Sequence, residues 1–419
     1  MKIISTSDWH IGNLFHGNDR LPEHKHFLGW MLEQLKQQRP DALLVAGDVF
    51  DNGNPSAAAQ AAYYEFLADA THMCPNMQII ITAGNHDSAS RIEAPRPLLS
   101  RHKVEIRGTV RRIWEDGKWV YDYDDLIIPV DGPDGERIAV IAIPYLRSDV
   151  IHNINYSQGV TDFLREVSSR ARELYPDHKL LMMTHMYAKG ADIAPKDASE
   201  KIVIGGQEEV NMEGWHDHPD YMTCGHIHKR QRVWNTNWAR YTGSILPMSF
   251  AEAEYTHGVD LITIDERGKF NVEQLAYVPQ HRLRTLPETD EELTAKQLKK
   301  LIAKELRDRG EDGKLTDSFD YVVLKVKLDK VDNDLIKELE GIVSSKDAVL
   351  CRIQKIVPAI QISTIIGHQS LTGIDDILDR DPLDTLHEAF AIRHRTGMNE
   401  RQVTMLKELV SGIRNEVKE

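Results

Sequence analysis

Residues 78–87 read QIIITAGNHD, a β-rich run that stops at Gly84 and is followed at once by Asn85, His86 and Asp87. The three consecutive isoleucines show neither a helical period nor alternation. A run this short, β-branched and uniformly apolar is the pattern of a strand buried on both faces. The pattern recurs along the chain. KIIST at 2–6 leads into SDWH, and ALLVA at 42–46 leads into GDVFD. RIAVIAIP, LLMMTHM and YMTCGHIH follow at 137–144, 180–186 and 221–228. Helix-like stretches lie between them, EHKHFLGWMLEQLKQQ at 23–38 and PSAAAQAAYYEFLADA at 55–70. This alternation predicts an α/β fold with largely buried strands, in which ligands bind beyond the strand ends.

Further strand signals, ARYTGSILPMSF at 239–250 and GVDLITID at 258–265, suggest a second and more antiparallel layer. The composition shifts at YVPQHRLRTLPETDEE, 277–292. Beyond it, EELTAKQLKKLIAKEL and NDLIKELEGIV read as helices, and FDYVVLKVKL and AVLCRIQKI as strands. The organisation expected is a first domain over 1–282, a small α+β domain over 283–357, and a linker with C-terminal helices over 358–419. The tail helices are DPLDTLHEAFAIR, starting near Asp381 or Pro382, and NERQVTMLKELVSGIRNEV.

Acidic residues outnumber basic ones 65 to 51, for a net charge of -14, so a basic nucleic-acid coat protein is excluded. A nucleic-acid enzyme is not, because bound metals and local basic loops override the global sign. Cys74, Cys224 and Cys351 lie far apart with no CxxC spacing, which predicts reduced thiols. No stretch reaches the ~20 apolar residues of a membrane span, and MKIISTSDWH is no signal peptide. The expectation is a cytoplasmic protein.

The unusual polar residues gather at the ends of the β-rich runs: Asp8 and His10, Asp48 and Asp51, Asn85 with His86 and Asp87, His185, and His226 with His228. Each alone reads as turn chemistry or a solvated loop. Together, from five segments whose ends lie side by side, they predict a metal centre. Mixed carboxylate, imidazole and amide oxygen donors suit Mn, Fe or Zn. Seven donors are too many for one ion, and Asp48 could bridge two. Two ions about 4 Å apart would activate a water and grip a phosphate ester, giving in-line attack at phosphorus. Asp51 either hydrogen-bonds His86 or turns the loop DNGNP. Asp87 is expected to hold the GNHD turn, and Trp9 to pack in the core.

The order D-x-H, GD, GNHD, H and GHxH resembles the calcineurin-like metallophosphoesterase superfamily, a sandwich of two β-sheets flanked by helices. The resemblance implies one ion on Asp8, His10, Asp48 and His228, and a second on Asp48, Asn85, His185 and His226. It gives His86 the position that stabilises the transition state or protonates the leaving oxygen. Protein serine/threonine phosphatases of the superfamily carry arginine after the position of Asp51, where this chain has Asn52.

Longer strings, TSDWHIG, LLVAGDVFDNGNPS, AGNHDS, AIPYLR, CGHIHKRQ and YTGSILPMSFAEA, resemble the Mre-type repair nucleases over most of the first 280 residues. Within that family they resemble the bacterial branch, where aspartate stands at the position of Asp51. The resemblance implies a Mn-dependent DNA exonuclease and endonuclease, a capping domain over the site, and a homodimer within a heterotetramer with a coiled-coil ATPase. The helix around SAAAQAAYYEFLADA matches the dimerisation region, although its small residues equally suit packing on the sheet. Leu383, Leu386, Phe390, Ile392, Val403, Leu406, Leu409 and Ile413 would dock on the ATPase. Candidate DNA-facing cations are Arg91, Arg96, Lys229, Arg230 and Arg232. The alternative is a stand-alone nucleotide phosphodiesterase or phosphatase.

Overall fold

The computed structural model describes residues 1–151, 155–192, 209–212, 215–289, 291–310, 312–327 and 333–356. The linker and tail helices expected over 358–419, with their docking positions, lie outside the described residues. Residues 1–356 form one compact unit.

Two six-stranded sheets stack face to face. The first runs Phe270–Ala276, Gly258–Ile264, Lys2–Thr6, Ala42–Ala46, Gln78–Thr82 and Val104–Arg107. The second runs Gln231–Arg232, Ala239–Tyr241, Tyr221–Gly225, Lys179–His185, Arg137–Ala142 and Ile127–Asp131. Both are mixed. Lys2–Thr6 pairs in parallel with Ala42–Ala46, and so on to Val104–Arg107, while Gly258–Ile264 joins antiparallel. The second, more antiparallel layer suggested by 239–265 forms in part. Ala239–Tyr241 lies in the second sheet, parallel to Tyr221–Gly225 and antiparallel to Gln231–Arg232, whereas Gly258–Ile264 crosses to the first, antiparallel to both its neighbours. The apolar run of Gly258–Ile264 satisfies either placement, since the inner strands of both sheets are buried on both faces.

The strand Ala42–Ala46 shows why a continuous apolar run is needed. Leu43 and Val45 face the helices Leu21–Gln38 and Ala57–Met73, while Ala42, Leu44 and Ala46 face the other sheet. The helix Tyr156–Leu174 covers the outer face of the second sheet through Val160, Phe163, Leu164 and Val167. Ser56 and Asn155 cap two of these helices by accepting hydrogen bonds from Ala59 and Gln158. Ala59, Ala62 and Ala70 of the AAAQAAYYEF helix pack into the core, which is one of the two readings of its small residues.

The segment from Leu283 to Ile356 is wired strand, helix, strand, helix, strand. Leu283–Leu286, Asp320–Lys327 and Ala348–Ile356 pair in parallel, with Ala295–Glu305 and Asn333–Ser344 as crossovers. Thr294 and Gln297 form the capping box that T-x-x-Q announces. This three-stranded sheet is joined to the sandwich through a buried polar joint. Arg20, wholly buried, donates to both oxygens of Glu23 at 2.8 Å and to Pro247 O at 2.6 Å. Tyr321, in the strand Asp320–Lys327, donates to Glu23 at 3.3 Å, and its ring packs edge-on against Phe15. The three cysteines are free. Among the described residues no helix is long and apolar enough to cross a membrane.

Candidate metal centre

All seven predicted ligands meet where strands of the two sheets end. Asp8, Asp48 and Asn85 follow neighbouring parallel strands of the first sheet. His185 ends one strand of the second, and His226 and His228 follow the next. Bending the chain this sharply beyond a strand forces unusual backbone. Asp8, His10, Asp48 and His226 all take left-handed φ, at 52°, 47°, 49° and 97°. Such conformations cost about 1–3 kcal/mol each and gather at functional sites.

Glycines provide close approach here. A Cβ on Gly84 would lie 2.1 Å from Asp48 Oδ1, and one on Gly225 would lie 2.0 Å from Ala46 O. Gly225 therefore serves proximity, while the adjacent His226 makes the turn itself. Gly225→Ala should lower stability by about 3 kcal/mol, read as a shifted urea midpoint with an unchanged slope. An unchanged midpoint would show that the strand end can yield.

The donor atoms converge in overlapping groups. Asp8, His10 and His228 offer atoms within 4.8 Å of one another, as do Asp8, Asp48 and His185. His10, Asp48 and His86 form a third such group. Asn85 Oδ1 lies 3.0 Å from both His185 Nε2 and His226 Nδ1. Asp48 divides its two oxygens. Oδ1 accepts the His86 main-chain N–H at 2.8 Å. Oδ2 lies 3.3 Å from His185 Nε2 and 3.7 Å from His10 Nε2. Oδ2 is thus the Asp48 oxygen that faces both histidines.

The donor set fits a divalent cation. His185 Nδ1 must donate to Ala46 O at 2.9 Å, because a carbonyl only accepts. In the neutral ring this turns the Nε2 lone pair toward Asp48 Oδ2 and Asn85 Oδ1, three acceptors around one point. His10 Nε2 is buried with no hydrogen-bond partner among the described residues. Without a cation these groups compensate with protons. Burial drives His185 down, but the Asp48 charge and hydrogen bond outweigh it and raise it to about 9. Burial drives Asp48 up, yet His185, His10 and His86 hold it well below the carboxylate range. Burial and then His185 lower His226 to about 3.

The surrounding residues follow the sequence reading in part. Asp87 accepts from Val49, Phe50 and Gly84 N–H, tying the GDVFD loop to the GNHD turn as expected. Trp9 is wholly buried, against Phe27 and Phe66, also as expected. The Asp51 carboxylate does not reach for His86. It accepts from Asn13 at 2.8 Å and lies 3.6 Å from His10 Nδ1. His86 Nδ1 donates instead to the Asp51 main-chain carbonyl, at 2.8 Å.

Among the proposed DNA-facing cations, Arg230 is committed to Asp260, a nearly fully buried carboxylate 2.6 Å away. Arg96 is likewise engaged by Asp125 and Glu93. Lys229 pairs with Asp192 beside the Tyr255 ring. Arg91 reaches Asn54 at 2.6 Å on the surface, and Arg232 is exposed. Sequence reasoning missed Ser7, whose hydroxyl donates to Asp8 at 2.5 Å and meets Thr242 at 2.6 Å. It also missed exposed Arg147, which reaches the Asp87 carbonyl at 3.5 Å, and Glu252 beside His228.

A model of the calcineurin-like phosphoesterase family matches residues 1–230. A Rhodobacter capsulatus protein, named as a subunit of the nuclease SbcCD, is 35% identical over 275 residues, 63% of this chain and 66% of its own length. Its namesake from Escherichia coli K12 is 29% identical over 287 residues, 66% of this chain and 68% of its own length. The chain thus matches about two thirds of the length of these relatives. The solved structure of TT1561 from Thermus thermophilus covers 65% of this chain and 98% of that chain, at 14% identity and a TM-score of 0.36. With a family model matching residues 1–230, more than half of its length, the chain belongs to the calcineurin-like phosphoesterase family.

Proposed function

We propose that this chain is a metal-dependent DNA nuclease, both double-strand exonuclease and single-strand or hairpin endonuclease, acting in DNA end processing with an SbcC-type coiled-coil ATPase. The observation that carries the reading is the crowding of imidazole lone pairs and oxygens around Asp48 Oδ2 and Asn85 Oδ1. The relatives named for the nuclease SbcCD turn the chemistry toward DNA. Asp8, His10, Asp48 and His228 would hold one ion, and Asp48, Asn85, His185 and His226 the other. Mn2+ suits these mixed oxygen and nitrogen donors, with Mg2+, Fe2+ and Zn2+ as alternatives. When bound, such ions acidify water and offset the charge of a phosphodiester.

The protein groups supply positioning and protons. The His86 N–H pins Asp48 Oδ1 and leaves Oδ2 to face both donor groups. The His86 side chain is exposed and its Nδ1–H is committed to the Asp51 carbonyl, so Nε2 is the atom that carries a proton. In its cationic form His86 gives that proton to the leaving oxygen. Asp51 acts on His10 rather than on His86, turning the ring so that Nε2 faces Asp48. Arg91, Arg147 and Arg232, all exposed, would meet the DNA backbone, as would Lys229. The chain would work in the cytoplasm as a homodimer within a heterotetramer, its tail on the ATPase.

The test uses the full chain with Mn2+, with and without chelator, on linear and hairpin DNA and on simple nucleotide esters. DNA cleavage should require the metal. Rapid turnover of the nucleotides with DNA left intact would favour the stand-alone phosphodiesterase. His86→Ala should slow DNA cleavage by about 10²–10⁴-fold while metal content stays at two ions. An unaltered rate would remove His86 from the chemistry.

A further inference from the structure

We infer that Glu252 positions His228 and thereby sets the affinity of one of the two ion sites, an inference that rests on the two-ion reading above. Glu252 ends the single turn Phe250–Glu252 and is wholly buried. Its Oε1 lies 3.4 Å from His228 Nδ1 and accepts from Ser249 Oγ at 3.2 Å. Its Oε2 accepts the Met248 N–H at 2.8 Å. An ionised carboxylate only accepts, so it selects the His228 tautomer with hydrogen on Nδ1. Nε2 then keeps its lone pair for an ion. His228 shares its donor group with Asp8 and His10, and its ring stands edge-on to that of His10 at 5.2 Å.

The carboxylate is itself fixed by the fold. The Arg20 guanidinium donates to Pro247 O, the residue before Met248. Ser244 N–H donates to His228 O at 3.0 Å, which anchors the other end of the loop to the ligand. Glu252 thus closes a loop whose start and finish both lean on the site. Carboxylates behind metal-binding histidines raise ligand basicity and commonly change metal affinity about 10–100-fold when replaced.

Glu252→Gln separates this role from simple packing. Glutamine keeps the volume and can still accept the Met248 N–H, but then turns its NH2 toward His228 Nδ1. That contact favours hydrogen on Nε2, which takes away the lone pair that Nε2 would offer the ion and leaves Nδ1 turned toward residue 252. The experiment is Mn2+ titration of the full chain, followed by electron paramagnetic resonance, with the melting temperature of the metal-free protein alongside. Glu252→Gln should weaken one ion about 10–100-fold, leave the other unchanged, and match the pattern of His228→Ala rather than His226→Ala. The metal-free melting temperature should stay at the wild-type value. Two ions bound as in wild type would overturn the inference while leaving the two-ion reading intact. A wild-type chain that binds no Mn2+ would overturn both. If Glu252→Gln does not fold, Glu252→Asp, whose carboxylate is drawn back from His228, should weaken the same ion, and wild-type binding by it would overturn the inference.

Discussion

Asp48→Asn should abolish DNA cleavage, by about a thousandfold or more, and strip both ions from the protein. One oxygen of Asp48 decides the outcome. Oδ2 faces the nitrogen of a ligand from each donor group, His185 at 3.3 Å and His10 at 3.7 Å. An amide in its place keeps shape but carries no charge, so both proposed ion sites lose the negative charge of the carboxylate they would share. A thousandfold loss corresponds to ~4 kcal/mol of barrier, within the several kcal/mol that a metal contributes to transition-state charge stabilisation. Asparagine is the fitting replacement because it tolerates the left-handed φ of 49° at this position. The backbone is therefore left unstrained by the change. Metal content by mass spectrometry, beside cleavage of linear DNA, decides the matter. Two retained ions or wild-type cleavage would refute the bridging role.

Arg20→Ala should destabilise the protein by about 3–5 kcal/mol, a cost typical of breaking a buried ion pair by removing one partner. Arg20 and Glu23 are both buried, and the arginine makes two hydrogen bonds to the carboxylate and one to Pro247 O. Alanine leaves a buried carboxylate with the Tyr321 hydroxyl, at 3.3 Å, as its remaining side-chain donor among the described residues. The double variant Arg20→Leu with Glu23→Leu should recover much of the loss, since no charge is then stranded. Urea unfolding of wild type, single and double variants measures this directly. A single variant within about 1 kcal/mol of wild type would mean that water reaches the joint and solvates Glu23.

The sequence pointed to the candidate ligands because each sits at the end of a strand or just beyond it, within a motif that local chemistry makes recognisable. It could not reveal Glu252. That residue is 24 positions from His228, in SFAEA, where a single glutamate reads as surface. Arg230 misleads for a related reason. A cation after GHIH suggests substrate, but its partner is Asp260 in the strand Gly258–Ile264. An aspartate inside an otherwise apolar strand is the available sign of a buried counter-charge. The sheet order fails where periodicity carries no information. A strand buried on both faces has no polar side to tell one sheet from the other, so GVDLITID could not declare its layer. Asp51 lies near the expected residues, yet only three-dimensional structure separates its carboxylate, beside His10, from its carbonyl, beside His86.

The left-handed backbone at Asp8, His10, Asp48 and His226 sets heat resistance against hydrolysis. Each of those positions would be more comfortable with glycine or asparagine, and each needs a carboxylate or imidazole. Selection for thermal survival alone would therefore drift toward glycine and asparagine at these four sites, yielding sturdier chains that no longer cut. Gains in durability compatible with activity must come from elsewhere in the sandwich, where the backbone carries no such debt.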